Sequence, residues 1–365
     1  MNTRVLVVDD SATMRALLSR LLDSEPDLDV IGTAANAMEA RARIKELNPD
    51  VVTLDVEMPG MNGLDFLEKI MQLRPMPVVI VSGVTQKGCE TTVRALELGA
   101  VDCYAKPDGS VRALLDNDGG ALAAMVRSAA RVKRWRAPAA PLAAAPHGIG
   151  AGHGVRPAVS IGHQMIDAPV PGGAPAQLIA IGASTGGVEA LHKILPDFPD
   201  DCPPTLIVQH ISAAFAPAMA ARLDKQCAAR VQLIEPGLPL LHGHIYIAPG
   251  NDRHAILAQT GRLIANMVPG DPVSGHRPSI DAMFHSVAKR LGPAAVGVLL
   301  TGMGQDGARG LLSMRRAGAR TIAQDKETCI VYGMPRAAAD IGAAEKIVPL
   351  PRIAERALAA AGVSG

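Results

Sequence analysis

The stretch from Leu178 to Gly187 constrains the fold more than any other part of the chain. A short apolar run ends there in Gly-Ala-Ser184-Thr-Gly-Gly, and a helical pattern follows directly. A buried strand feeding such a turn places the Ser184 hydroxyl at the carboxyl end of the strand, beside the amino terminus of a helix. Glycines let the backbone bend sharply, and the first N–H groups of the helix can stabilise a developing negative charge. The stretch therefore indicates a serine nucleophile or, equally, a loop that cradles a phosphate.

Length, charge and cysteine usage limit the class of protein. A chain of 365 residues is long enough for two domains, and its net charge of +1 does not indicate a nucleic-acid or acidic partner. Five cysteines are scattered without a C-x-x-C pair, which is typical of a reduced compartment. The amino terminus does not resemble a signal peptide, and no apolar run is long enough to span a bilayer. We therefore expect a soluble, cytoplasmic protein without membrane insertion.

The first part of the chain, to about residue 127, alternates short apolar runs with helical patterns. Between the first two runs, apolar residues from Met14 to Leu22 recur on one face of a helix. Such alternation predicts a doubly wound parallel sheet, the flavodoxin-like arrangement. The predicted strands are Val5–Val8, Val30–Thr33, Val51–Leu54, Pro77–Val81 and Val101–Ala105.

Polar side chains follow four of these strands: Asp9 and Asp10, Asp55, Ser82, and Lys106. The carboxyl ends of parallel strands share one edge, where ligands bind. Three neighbouring carboxylates repel one another unless a divalent cation such as Mg²⁺ lies among them. Asp55 could then attack phosphorus, while Ser82 and Lys106 bind phosphoryl oxygens. The alternative is that each acid only caps a helix or shapes a turn.

This pattern resembles the receiver domain of two-component response regulators over nearly all of residues 1–125. The resemblance is carried by Val-Val-Asp9-Asp10-Ser, by the run from Leu54 to Gly63, by Val-Ser82-Gly and by Tyr-Ala-Lys106-Pro. It implies that Asp55 is the phosphoacceptor, that Asp9, Asp10 and Asp55 bind Mg²⁺, and that Ser82 and Lys106 form the switch pair. The chain departs from the family at Cys103, where receivers usually carry an aromatic switch residue.

Periodicity disappears between Arg131 and Gln177. A basic patch around Trp135 leads into a run of Ala, Pro and Gly, which favours extended, solvated chain. The patch is either a partner-docking site or the end of the last receiver helix. We therefore expect a receiver domain over residues 1–127, a flexible linker over 128–176 and a second domain over 177–365.

The second domain resumes the alternation of strand and helix at Leu178. One strand, Thr205–Gln209, ends at His210, and another runs from Val296 into a Gly-rich turn that holds Asp306. Ser184, His210 and Asp306 thus follow three separate strands, and we expect them to meet at one edge of a second doubly wound sheet. Serine needs a base within hydrogen-bond reach, and a carboxylate fixes the tautomer of that base. The chain order Ser, His, Asp differs from that of the α/β-hydrolases.

Simpler structural roles remain open for these residues. Asp306 can shape its turn and cap the following helix, and His210 can be a hydrogen-bonded core histidine. Ser279 and Asp281 open an apolar helix, so they either cap it or contact a substrate.

Several histidines lie outside these patterns. Those in the linker have no carboxylate nearby and are interpreted as loop residues: His147, His153 and His163. Those in the second domain have metal-like spacing, but no cysteine or carboxylate completes a site: His242, His244 and His254. The sequence therefore favours no metal centre in the second domain.

Five motifs of the second domain resemble the catalytic domain of chemotaxis protein-glutamate methylesterases: Gly182–Gly187, Val208–His210, Ala248–Gly250, His276–Asp281 and Thr301–Gly307. The order of receiver, linker and esterase resembles the CheB family across the chain. The resemblance implies Ser184 as nucleophile, His210 as base and Asp306 as its partner. It also suggests oxyanion or substrate contacts by Thr185, Met303 and Arg277, with the Met303 N–H binding the oxyanion.

The same resemblance implies the reaction and the partners. The reaction is hydrolysis of glutamate γ-methyl esters on chemoreceptor helices with release of methanol, often accompanied by deamidation of receptor glutamines. The esterase reaction needs no cofactor. The partners are methyl-accepting chemoreceptors and a histidine kinase of the chemotaxis type, and the unphosphorylated receiver blocks the esterase cleft.

Two other classes compete with this interpretation. A response regulator can carry an output domain that binds DNA or a protein, but the second domain shows no basic recognition helix. An output domain can also bind a nucleotide through Gly182–Gly187, but the stretch lacks G-x-G-x-x-G spacing and an acidic residue for a ribose.

Overall fold

The computed structural model describes residues 2–58, 63–106, 120–132, 176–259 and 262–363. Most of the predicted linker, including Trp135 and the three linker histidines, lies outside the described residues. In the described part of the chain, no helix is long and apolar enough to cross a bilayer.

The first sheet has five parallel strands in the order β2-β1-β3-β4-β5. Its strands are β1 Thr3–Val8, β2 Leu28–Ala34, β3 Val51–Leu54, β4 Val78–Ser82 and β5 Asp102–Ala105. Helices cover both faces of the sheet, so strands such as β3 and β4 are buried along their length and mostly apolar. The helices are α1 Ala12–Asp23, α2 Ala37–Leu47, α3 Gly63–Leu73, α4 Gln86–Glu97 and α5 Ala121–Ala130. The predicted doubly wound sheet is confirmed, and β2 is longer than its weak pattern suggested.

The second sheet has seven parallel strands in the order β15-β14-β13-β6-β7-β10-β8. Its strands are β6 Leu178–Ala183, β7 Thr205–Gln209, β8 Arg230–Leu233, β10 His244–Ile247, β13 Ala295–Leu299, β14 Arg320–Gln324 and β15 Lys346–Val348. Its helices are α6 Gly187–Ile194, α7 Ala216–Asp224, α8 Ile280–Leu291, α9 Ala308–Arg316, α10 Met334–Asp340 and α11 Ile353–Ala360. A parallel sheet with helices was also predicted for this domain, and that fold class is confirmed.

A small antiparallel sheet was not predicted. It has the order β11-β12-β9, with β9 Leu238–Pro239, β11 His254–Gln259 and β12 Leu263–Val268. These strands are short, with six residues at most. Sequence periodicity over so few residues does not distinguish a strand from a loop.

The strand order of the larger sheet reverses between β6 and β13. From β6 the chain continues to β7 on one side, whereas β13 pairs with β6 on the other. This reversal is the position where open α/β sheets bind ligands. Gly182 lets α8 approach the same point, because a Cβ there would lie 2.3 Å from Ile280 Cγ2.

The receiver packs directly against the second domain. Helix α4 lies against α6 and α7, where Glu97 forms an ion pair with Arg222 of α7 and lies 2.5 Å from His192 Nε2 of α6. Strand β5 and α5 contribute apolar residues to a cluster that includes Val331 and Ile330 of the second domain. The docked surface therefore combines apolar packing with a partly buried ion pair.

Candidate active site

Ser184 follows β6 on a tight turn and is buried. Its N–H donates to Thr301 O at 3.0 Å, and its carbonyl accepts bonds from Gly187 N–H at 2.7 Å and Gln209 Nε2 at 2.9 Å. Gly186 takes a positive φ of 77°, which a residue with a side chain adopts only with strain. No described residue hydrogen-bonds the Ser184 hydroxyl. The backbone of this residue is held firmly while its hydroxyl remains available.

His210 presents one ring nitrogen to Asp306 and leaves the other without a partner. His210 Nε2 lies 2.9 Å from Asp306 Oδ2, and Nδ1 is buried with no hydrogen-bond partner in the described part of the chain. Ser184 and His210 line the same small cavity. Nδ1 is therefore the ring nitrogen that is left free for a second partner. This use of the ring is the reverse of the arrangement in the chymotrypsin triad.

The Asp306 carboxylate is fixed at the amino terminus of α8. It accepts bonds from Ser279 Oγ and Ile280 N–H at 2.8 Å each, and from Asp281 N–H and Gly307 N–H at 3.0 Å each. Burial alone favours the neutral acid, but the bonds from His210 and the backbone N–H groups outweigh it and lower the pKa of Asp306. Asp306 is therefore an ionised carboxylate that orients His210, as well as part of a turn.

Ser279 and Asp281 act within this scaffold. Ser279 caps α8 by accepting a bond from Ala282 N–H, and its hydroxyl also donates to Asp306. Asp281 accepts bonds from Gly310 N–H at 2.6 Å and from Ser274 Oγ at 2.8 Å. The sequence left capping and substrate contact open for both residues, and the geometry shows capping and support of Asp306.

The histidines with metal-like spacing make ordinary hydrogen bonds. His254 Nε2 lies 2.9 Å from Asp271 O, and His254 Nδ1 accepts a bond from Ser279 N–H at 3.2 Å. His244 Nδ1 lies 2.9 Å from the carbonyl oxygen of His242. Among the described residues, the one cluster that could hold a metal ion is Asp9, Asp10 and Asp55.

Of the secondary contacts suggested by the sequence, two lie beside Ser184. Thr185 is buried directly after it, and Gly302, which precedes Met303, is so close that a Cβ there would lie 2.7 Å from Ser184 Cβ. No described residue accepts a bond from the Met303 N–H. Arg277 is exposed and donates to Gly270 O at 2.9 Å.

His276 was not singled out from the sequence. Its ring stacks on that of His210, with centroids 3.9 Å apart and planes 14° apart. Burial and the neighbouring His210 lower the pKa of His276 to about 4. The polar Gly-His276-Arg-Pro run drew attention to this loop, but the periodicity of a sequence cannot show which distant ring a loop histidine contacts.

The receiver edge gathers the acidic residues that the sequence identified. Oxygens of Asp9, Asp10 and Asp55 lie within 4.8 Å of one another. Lys106 Nζ lies 2.7 Å from Asp9 Oδ2 and 2.6 Å from Asp55 Oδ2. Burial favours the neutral amine, but the two carboxylates outweigh it and raise the pKa of Lys106. Burial raises the pKa of Asp9 despite the lysine. Ser82 is buried at the end of β4, the strand next to β5.

The receiver covers the Ser184 cleft. Asp102 of β5 accepts a 2.9 Å bond from Thr185 Oγ1, and Gly186 N–H donates to Val101 O at 3.2 Å. Burial raises the pKa of Asp102. The cavity left between Ser184, His210 and β5 has a volume of about 10 Å³, roughly the space for one water molecule. A substrate side chain does not fit there while the receiver is docked.

The chain has two doubly wound domains. One has an acidic edge beside a lysine, and the other has Ser, His and Asp at its switch point, the place where the strand order of the sheet reverses. Together they define a receiver-controlled α/β protein. Residues 5–115 match the response regulator receiver domain, and residues 179–357 match the CheB methylesterase family. Together with the relatives described next, this shows that the chain belongs to the CheB methylesterase family.

Similar proteins span the whole chain. It is 52% identical over 359 residues to a protein-glutamate methylesterase/protein-glutamine glutaminase of Caulobacter vibrioides, covering 97% of each chain. A protein of the same name from Agrobacterium fabrum is 50% identical over 361 residues, covering 97% of this chain and 95% of the relative. The crystal structure of the Thermotoga maritima CheB methylesterase catalytic domain is 35% identical, covers 50% of this chain and 98% of that one, and has a TM-score of 0.49.

Proposed function

We propose that this chain is a phosphorylation-activated protein-glutamate methylesterase that acts in chemotaxis adaptation. It removes methyl groups from glutamate γ-methyl esters of chemoreceptors, releasing methanol, and also deamidates receptor glutamines. The observation that carries the proposal is the meeting of Ser184, His210 and Asp306 at the switch point of the second sheet. The names of the relatives that match the whole chain support the same reaction.

The ester reaction runs in two halves. Ser184 Oγ attacks the ester carbonyl carbon while His210 Nδ1 takes the hydroxyl proton, and the resulting imidazolium is stabilised by Asp306. The Met303 N–H binds the oxyanion. Methanol leaves with the proton from His210. A water molecule, deprotonated by His210, then attacks the acyl carbon, the bond to Ser184 Oγ breaks, and His210 returns the proton to Ser184 as the glutamate carboxylate is released. General-base assistance contributes about 10²–10⁴-fold, and an oxyanion donor about 10²–10³-fold.

A histidine kinase transfers a phosphoryl group to Asp55 of the receiver. The three carboxylates of Asp9, Asp10 and Asp55 suit Mg²⁺, which prefers oxygen ligands. The ion supplies charge neutralisation for the incoming phosphoryl group. Lys106 and Ser82 bind the new phosphoryl oxygens, and Lys106 must therefore exchange its present contacts with Asp9 and Asp55.

In the unphosphorylated chain the receiver inhibits the esterase by occupying its cleft. The contact between Asp102 and Thr185 and the 10 Å³ cavity support this role. Tenfold activation on phosphorylation needs a coupling of about 1.4 kcal/mol, within the usual range of allosteric coupling.

We assign residues 1–127 to the receiver, 128–176 to a linker and 177–365 to the catalytic domain. The two separate parallel sheets support this division. We place the protein in the cytoplasm, because all five of its cysteines are free, as a reducing compartment keeps them.

Methanol release from a methylated receptor, with and without a small-molecule phosphodonor, tests the proposal. We expect release that depends on Ser184 and rises at least tenfold with the phosphodonor. Absence of methanol under both conditions contradicts the proposed reaction. An output domain that binds DNA or a nucleotide predicts retention of a DNA fragment or of ATP instead.

A further inference from the structure

We propose that His276 is a positioning residue for the esterase reaction, holding the His210 ring in the plane that directs Nδ1 towards Ser184. The inference rests on the proposed function and adds a residue to it. The observation behind it is the parallel stack of the two imidazoles, at 3.9 Å and 14°.

His210 needs such support because its other contacts fix only parts of the side chain. Its backbone N–H donates to Ala183 O, and Nε2 meets Asp306. One hydrogen bond to a ring nitrogen fixes that atom but leaves the tilt of the ring free. A flat neighbour against the ring face removes that freedom, so Nδ1 keeps one direction in the cavity. Misplacement of a catalytic group by about 1 Å can cost about 10²-fold in rate.

His276 is itself held in a rigid loop. Its backbone exchanges hydrogen bonds with Val273 at 3.0 and 3.1 Å, closing a tight turn. Ser274, inside that turn, has a positive φ of 53° and donates to Asp281 Oδ2 at 2.8 Å. The next helix begins at Ile280, where its first N–H groups hold Asp306. The loop therefore ties the stacking ring to the carboxylate that orients the other side of His210.

The charge of His276 suits this role. Burial and the proximity of His210 keep its pKa near 4, so the ring is neutral at pH 7. A neutral ring does not repel the imidazolium that forms on His210 during the reaction. The other ionisable groups that act on the stack are Asp306, from the turn after β13, and Asp102, from β5 of the docked receiver.

The test compares variants of the phosphorylated full-length chain on a methylated receptor. His276→Ala removes the ring surface, whereas His276→Phe keeps a flat ring without nitrogens. We expect His276→Ala to lower kcat by about tenfold or more with KM changed less than about twofold, because the ring acts on the chemical step. We expect His276→Phe to keep kcat within about threefold of the parent chain.

A matched control uses the other stacked histidine of the chain. The ring centroids of His244 and Tyr246 lie 5.9 Å apart with planes at 16°. His244 is the first residue of β10 and so lies at the amino-terminal ends of the strands, opposite the Ser184 cleft. His244→Ala should leave kcat and KM unchanged. Phosphoryl uptake at Asp55 and the thermal unfolding midpoint verify that each variant is folded.

Two results overturn the inference: kcat within threefold of the parent in His276→Ala, or a loss in His276→Phe equal to that in His276→Ala. If His276→Ala does not fold, His276→Leu replaces it, because leucine fills volume without a flat face. Equal kcat values for Leu and Phe then overturn the inference. An inactive parent chain contradicts the proposed function instead, so the two failures are distinguishable.

Discussion

The carboxylate of Asp102, on the last described strand of the receiver, accepts a 2.9 Å hydrogen bond from the hydroxyl of Thr185, the residue after Ser184. A group from one domain thus occupies a polar position in the active site of the other. Asp102 carries the same chemical group that ester hydrolysis produces, a carboxylate. The receiver therefore closes the cleft with an acidic side chain as well as with bulk.

Replacement of Asp102 by alanine should raise the basal esterase activity of the unphosphorylated chain by about three- to tenfold. The reason is that an intramolecular hydrogen bond contributes about 0.5–1.5 kcal/mol, and its loss frees the cleft by a corresponding factor. Methanol release without phosphodonor measures the effect. Asp29→Ala, at an exposed position of β2, is the matched control. Unchanged basal activity in Asp102→Ala means that this contact does not restrain the receiver.

Replacement of Ser184 by alanine should abolish ester hydrolysis and leave phosphorylation of Asp55 intact, because the two sites lie on different sheets. Labelled phosphoryl uptake and methanol release measure both reactions on one sample. Ser313→Ala, in α9, serves as control. Substantial methanol release by Ser184→Ala refutes the assignment of the nucleophile.

Replacement of Asp306 by asparagine should lower kcat by about 10²–10⁴-fold, since the amide neither fixes the His210 tautomer nor stabilises the imidazolium. The loss should appear in kcat and in kcat/KM alike. Steady-state kinetics on a methylated receptor measure kcat and KM separately. A variant that raises KM alone indicates that Asp306 supports the turn and not the chemistry.

Replacement of Asp55 by asparagine should remove the response to phosphodonor and keep the basal esterase activity, because the receiver then has no acceptor carboxylate. Asp65→Asn, at an exposed position of α3, should respond normally. The ratio of methanol release with and without phosphodonor is the readout. Activation that persists in Asp55→Asn shows that phosphoryl transfer to this residue is not the trigger.

The lowered pKa of His276 predicts that the stability of the folded chain depends on pH. Its pKa is near 4 in the folded chain, against about 6.5 for an exposed histidine. Between these values the unfolded chain binds the proton and the folded chain does not, so stability falls as pH decreases from about 6.5 to 4. The urea midpoint should therefore drop between pH 7 and pH 5 by less in His276→Phe than in the parent chain. Equal drops mean that His276 does not carry this dependence.

Much of the site could be predicted from the sequence because strand ends in a parallel sheet converge. Ser184, His210 and Asp306 each follow an apolar run, so the sheet alone brings them together. The same reasoning predicted the acidic edge formed by Asp9 and Asp55.

Other features have no local pattern to reveal them. The contact of Asp102 with Thr185 depends on how two domains dock, and 83 positions separate the two residues. His276 meets His210 only because a tight turn returns the loop to the sheet edge. The ring nitrogen that faces Asp306 depends on side-chain rotation, which no spacing of residues encodes.

The hydrogen bond from Gly186 N–H to Val101 O has a consequence for the local order of the nucleophile turn. Gly186 precedes α6, and its amide belongs to the donors that a helix start leaves without internal acceptors. Its acceptor belongs to another domain, so undocking transfers this amide to solvent. In the interior of a helical substrate each carbonyl already accepts a hydrogen bond within the helix, so none is available to replace Val101 O as the acceptor. The rate of hydrogen–deuterium exchange at this single amide therefore reports receiver docking directly, because exchange is slow while the receiver is docked.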